Sequence, residues 1–107
     1  VPEVIPIRGV VYRADIGYGL KPWLVVSNNA RNQHFEDCLA VRITTTEQLE
    51  LPSNVRLGPA DGGLVGWVCC DDINILGREE LKETLGAISP RTMMKVGEGL
   101  RAALALL

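Results

Sequence analysis

Aromatic and imidazole side chains are scarce in this chain of 107 residues: aromatics make up 5% and the one histidine is His34. The core must therefore be filled by Val, Leu and Ile, and the lone imidazole counts against a catalytic metal held by a histidine cluster. Several familiar signatures are missing as well, among them H-E-x-x-H, the Walker loop, G-x-S-x-G and G-x-G-x-x-G. Three cysteines, Cys38, Cys69 and Cys70, form neither an even set nor a C-x-x-C pair. They read as small buried apolar residues in a reducing cytosol rather than as a disulfide framework. A catalytic thiol would need a base beside it, and His34 is the one candidate. No uncharged stretch approaches the ~20 residues of a membrane helix. Val1 to Ile7 lacks the basic start and apolar run of a secretory leader. The expectation is a soluble, cytoplasmic domain spanning residues 1–107, with 1–7 as a short extension.

What is present is a globular balance of 47% hydrophobic and 22% charged residues, which excludes a disordered or fibrous chain. The net charge of −2 counts weakly against nucleic acid, but the signs are unevenly spread. Between Arg8 and Thr45 five basic residues (Arg8, Arg13, Lys21, Arg31, Arg42) face three acidic ones (Asp15, Glu36, Asp37). From Thr46 onward six basic residues face nine acidic ones. A locally positive groove on an otherwise acidic protein fits this distribution, and so does an ordinary mixed surface.

Alternation of Val10, Tyr12 and Ala14 against Val11, Arg13 and Asp15 predicts a first strand over Arg8 to Ile16. Gly17 to Leu20 breaks it with two glycines that permit positive φ. Pro22 to Ser27 is a nearly continuous apolar run, as expected of a strand buried on both faces. Asn28 to His34 reads as a loop or one helical turn, Cys38 to Thr46 as a strand, and Asn54 to Leu57 as a short strand. Gly58 to Gly63 is turn chemistry and Leu64 to Asp71 a further strand. Gly77 to Gly86 suits a short helical turn plus an edge strand. A long helix closes the chain, with Ser89 as N-cap and Pro90 at its first position. Met93, Val96, Leu100, Ala103, Leu104 and Leu107 form its apolar stripe. Gly97 and Gly99 cost that helix about 1 kcal/mol each, which close packing against another backbone would explain. Five or six short strands and one C-terminal helix predict a mainly β fold, a small, strongly bent antiparallel sheet or barrel.

The remaining chemistry is a cationic, hydroxyl-rich set: Lys21 before Pro22, and Arg42 with Thr44, Thr45 and Thr46. Such groups surround an anion as charge and hydrogen-bond donors, although strand threonines also serve β geometry alone. Arg42 shares a strand face with Thr44, and Arg13 lies on the strand neighbouring Lys21. Tyr18, between glycines in a loop, is the better candidate for stacking on bases, whereas Trp23 sits in a buried run. Asn28, Asn29 and Asn32 could read base edges or cap a turn.

Six segments in order, RGVVYRADIG, KPWLVVSNNARN, AVRITTT, LPSNVRLG, GLVGWVCCDDINILGREEL and LGAISPRTMMKVGEGLRAALAL, resemble the MazF/PemK family of toxin endoribonucleases over nearly the whole chain. The resemblance implies an SH3-like barrel with helical additions and a homodimer. It also implies metal-independent cleavage of single-stranded RNA without a cofactor, and neutralisation by an antitoxin lying across the RNA groove. The family places an Arg before the Pro of the second strand and a Thr at the end of the third, which correspond to Lys21 and Thr44. Beside these, strand placement and side-chain chemistry make Arg13, Tyr18, Asn28, Arg42 and Thr45 the expected RNA contacts. The chain departs from the family pattern in carrying Lys21 for Arg, in a first loop without Glu or Gln, and in Asp72 and Asn74 where Gln and Arg are usual. Two alternatives from other classes are a CcdB-like toxin that binds gyrase through its C-terminal helix, and an inactive binding relic.

Overall fold

The computed structural model describes residues 4–107. Its elements are β1 (Val10–Asp15), β2 (Leu20–Val25), α1 (Asn29–His34), β3 (Asp37–Thr44), β4 (Asn54–Arg56), β5 (Trp67–Gly77), a 3₁₀ turn at Arg78–Glu80, β6 (Leu81–Ala87) and α2 (Pro90–Leu104). The six strands form one sheet in the order β4-β5-β3-β2-β1-β6, and every neighbouring pair is antiparallel. The mainly β architecture with a long C-terminal helix is the one expected from the strand pattern. Of the 1–7 extension, Val1 to Glu3 lie outside the described residues, Pro6 is buried, and the Ile7 N–H donates to the Tyr12 hydroxyl at 3.2 Å. No helix among the described residues is long and apolar enough to cross a membrane.

Strand alternation divides the apolar residues between two clusters. Val11, Leu24, Val41, Ile43, Val55, Val68, Cys70 and Ile88 gather with Val96 of α2 in the larger one. Tyr12, Ala14, Trp23, Val25, Cys38, Ala40, Leu76 and Leu81 form the smaller. β2 feeds both, which is why its sequence is apolar without alternation. Cys38, Cys69 and Cys70 are all free and buried. Burial pushes the Cys38 thiol up to about 11 and the Cys70 thiol up to about 12, and it raises Cys69 as well. All three stay protonated and poor as nucleophiles near neutral pH, and exposed His34 does not change that.

α2 begins as its sequence demands, with the Ser89 hydroxyl accepting from the Thr92 N–H at 3.1 Å and Pro90 in the first turn. Asp61 ties this start to the turn before β5. Its carboxylate accepts from the Gly58 N–H (2.8 Å), the Ser89 N–H (2.8 Å) and the Thr92 hydroxyl (3.0 Å), and it is 1% exposed. Val96 is fully buried, worth about 1.5–3 kcal/mol, and a Cβ on Gly99 would lie 2.7 Å from Cys70 Sγ. Gly99 is thus the close-packed glycine, while Gly97 faces open space. The apolar stripe is only half used: Met93 and Leu100 pack on the core, but Leu104 and Leu107 are exposed. The helix packs chiefly on β5 and the three-residue β4, so its last turn has little sheet beneath it.

Candidate active site

The site forms where two strands part. β2 pairs with β1 along Leu20 to Leu24, but its pairing with β3 covers only Trp23 to Val25. Pro22 has no N–H to extend the ladder toward β3. Beyond the Trp23–Arg42 pair, Lys21 and Thr44 therefore stand on opposite walls of an opening. Alternation puts Lys21 on the face of Trp23, and Thr44 on the face of Arg42. The resulting cleft encloses about 480 Å³ and is lined by Tyr18, Lys21, Trp23, Arg42, Ile43, Thr44, Thr46, Asp72 and Asn74.

A bulge supplies the third wall. Val41 of β3 pairs with Ile73 of β5, yet the next residue, Arg42, pairs with Cys69. Cys70, Asp71 and Asp72 are thus extra on β5, and such irregularities re-aim side chains. Here Asp72 is turned onto Arg42, whose Nε donates to Asp72 Oδ2 at 2.6 Å, while Asn74 Nδ2 donates to Asp72 Oδ1 at 2.9 Å. The hydrogen bond to Asp72 raises the already high pKa of Arg42, so its charge is permanent. Lys21 is exposed and has no ion-pair partner among the described residues.

Thr44 is oriented by its own turn. Its Oγ1 accepts the Thr46 N–H at 3.1 Å, which leaves the hydroxyl proton to be donated into the cleft. Tyr18 stands at the mouth, 77% exposed. The loop carrying it is fixed by Asp15, whose Oδ1 accepts the N–H groups of Gly17 (2.8 Å) and Gly19 (3.1 Å). Both glycines hold positive φ, +114° and +87°, which a residue with Cβ would resist. Trp23 floors the cleft from the smaller cluster, and its buried indole N–H has no acceptor among the described residues.

Lys21, Tyr18, Arg42 and Thr44 are brought together as the sequence suggested. Three other candidates are placed elsewhere. Arg13 pairs with Pro22, one residue out of phase with Lys21, so its side chain takes the other face and meets Glu83 at 3.2 Å. Asn28 caps α1, its side chain accepting the Arg31 N–H at 2.8 Å. Thr45 is exposed outside the lining, and Thr46 takes a place in the wall instead. Trp23, Asp72 and Asn74 join the site; a three-residue bulge leaves no periodic trace by which Asp72 could have been paired with Arg42. A larger hollow of about 590 Å³ lies between β4, β5 and α2. Its Arg56 is already engaged, by Glu47 at 2.9 Å and the Trp67 ring, and its other cation, Lys95, shares the lining with Glu50 and Glu98.

Fold and cleft define a small antiparallel β-protein that presents a free cation, a clamped cation and a hydroxyl donor around one opening. Residues 8–104 match the model of the PemK-like, MazF-like toxins of type II toxin-antitoxin systems, and the chain belongs to that family. It is 52% identical over 101 residues to the endoribonuclease MazF4 of Mycobacterium tuberculosis (strain H37Rv), with 94% of each chain covered. The same figures hold for the endoribonuclease MazF1 of Mycobacterium bovis. Among solved structures it is similar to an endoribonuclease in complex with its cognate antitoxin from a mycobacterial species. That match has a TM-score of 0.91 and 52% identity, and covers 95% of this chain and 97% of the other.

Proposed function

We propose that this chain is the endoribonuclease toxin of a type II toxin–antitoxin pair, cutting single-stranded RNA in the cleft between β2 and β3. The observation that carries the reading is the meeting of Lys21, Arg42 and the donor-ready Thr44 hydroxyl around one opening. In the reaction the RNA 2′-oxygen bonds to the adjacent phosphorus and the P–O5′ bond breaks. The 2′-hydroxyl loses a proton and the departing 5′-oxygen gains one, leaving a 2′,3′-cyclic phosphate and a 5′-hydroxyl. Lys21 supplies positive charge to the phosphorane-like transition state, and Thr44 donates a hydrogen bond to an oxygen on which charge develops. A point charge on a flexible stem suits this task without bidentate geometry. Tyr18 at the mouth offers a stacking platform for a flanking base.

The toxin domain takes in residues 8–104, and the protein works in the cytoplasm as a homodimer. Its partners are RNA and a cognate antitoxin whose acidic and apolar segment competes for the same cleft. The gyrase-binding alternative draws no support from the family match.

The test is incubation with long single-stranded RNA in EDTA followed by mapping of fragment ends. Discrete cuts with 5′-hydroxyl ends, lost in Lys21→Ala at an unchanged melting temperature, are expected. Intact RNA with wild-type protein would overturn the nuclease reading, and full activity of Lys21→Ala would remove Lys21 from the chemistry.

A further inference from the structure

The cleft holds an acidic side chain, which a groove made only for a polyanion would exclude. Asp72 lies on its wall with 39% of its side chain exposed, and Arg42 beside it with 40%. Their pairing cancels most of the charge that Arg42 would offer a phosphate, so Lys21 is left as the uncompensated cation. An arginine needed only for phosphate would be better placed without a carboxylate at 2.6 Å.

The hydrogen bonds fix what this wall presents. Asp72 accepts one bond on each oxygen, from Arg42 Nε and from Asn74 Nδ2, and each oxygen keeps a lone pair for a further donor. Because the Asn74 amide nitrogen must face the carboxylate, its Oδ1 faces away as another acceptor. Arg42 uses only Nε on Asp72, so its terminal amino groups remain as donors at one end of the array. The wall is thus rich in acceptors, with a donor end. It complements a base edge that carries an exocyclic amino group, and it repels the carbonyl oxygen that uracil presents in that place. Carboxylate acceptance from the cytosine amino group is the familiar form of such a pairing.

We infer that Asp72, held by Arg42 and Asn74, is a specificity-determining residue that reads the exocyclic amino group of a base next to the scissile bond and rejects uracil there. The inference rests on the nuclease reading above. The bulge on β5 exists, on this view, to carry Asp72 into the cleft.

The experiment is cleavage of a single-stranded RNA pool randomised around the cut, comparing wild type with Asp72→Asn and Asp72→Ala and sequencing the products. Wild type should show one position restricted to amino-bearing bases. Asp72→Asn, whose amide can donate to a carbonyl, should admit uracil there with its relative rate raised about tenfold or more. Asp72→Ala should flatten the preference at that one position and leave the others. A merely structural role would slow every substrate alike and leave the base profile unchanged, and that outcome overturns the inference, as does a wild-type profile with no amino-restricted position. Failure of the nuclease reading is separate, because wild type would then cut nothing in the pool.

Discussion

Thr44→Ala isolates one donor in the proposed chemistry. The substitution removes a hydroxyl whose oxygen accepts the Thr46 N–H at 3.1 Å and whose proton is free for the cleft. Loss of one preorganised transition-state donor costs about 10²–10³ in rate, or about 2.7–4 kcal/mol. The cost to the fold is smaller. The bond lost is exposed, worth at most about 1 kcal/mol, and the released Thr46 N–H can turn to water. For a domain of this size that lowers the melting temperature by about 4–8 °C at most. Thr46→Ala is the matched control, since only its backbone takes part in the bond. It should slow cleavage less than Thr44→Ala does, because it keeps the backbone N–H that orients the Thr44 hydroxyl. Thr44→Ser keeps the hydroxyl and should recover most of the rate. Single-turnover cleavage of a short fluorophore–quencher RNA in EDTA measures all three, with thermal melts alongside. A slower Thr46→Ala than Thr44→Ala, or a Thr44→Ala within about tenfold of wild type, would refute the assignment.

Two further predictions concern the scaffold that holds the site. Burial raises the Asp61 pKa, but the N–H groups of Ser89 and Gly58 and the Thr92 hydroxyl outweigh it and leave the net shift downward. A carboxyl whose folded pKa is depressed stabilises the protein above its unfolded pKa, and that stability is lost as pH falls through the folded value. Acid melts should therefore show wild type losing stability below the ordinary carboxylate range, and Asp61→Asn, already destabilised at neutral pH, losing less there; parallel curves would contradict this. In α2, Gly97→Ala has open space and should raise stability by up to about 1 kcal/mol. Gly99→Ala, with its Cβ at 2.7 Å from Cys70 Sγ and 3.0 Å from the Pro52 carbonyl, should lower it by about 1–3 kcal/mol. Shifts of the same sign in calorimetry would show that the helix does not pack as described.

Strand-level structure was legible wherever one physical cause dominated. β2 was found by its unbroken apolar run but placed at Pro22 to Ser27, two residues late, since it starts with exposed Leu20 and Lys21. α2 was placed well because Ser89 and Pro90 mark its start by cap chemistry. β5 was read as Leu64 to Asp71, whereas it runs Trp67–Gly77. Asp71, Asp72 and Asn74 break the apolar pattern in its middle, and a polar break caused by a bulge looks the same in sequence as a strand end. The site followed similar lines. Lys21 and Thr44 came from the family pattern, and Arg42 from sharing a face with Thr44. Arg13 was grouped with Lys21 by strand adjacency, but antiparallel register sets it against Pro22 and turns its side chain away. Asn28 followed the capping role that asparagine most often has before a helical turn.

The allocation of cations explains how a chain of net charge −2 can still address a polyanion. Of the five basic residues before Thr46, Arg8 donates to the Val26 carbonyl, Arg13 meets Glu83, and Arg31 meets Asp37. Those three are committed to the fold and add little to an RNA surface. The two that remain have opposite designs. Lys21 is unpaired among the described residues, mobile on a four-carbon stem, and carries a point charge that can follow phosphate oxygens through an in-line displacement. Arg42 is planar and fixed by Asp72, so it is suited to a fixed pattern of donors rather than to a moving charge. Replacing the family's usual arginine by Lys21 therefore need not weaken the site. On the reading proposed above it divides the labour, leaving the charge of the transition state to Lys21 and the identity of the base to Arg42 with Asp72.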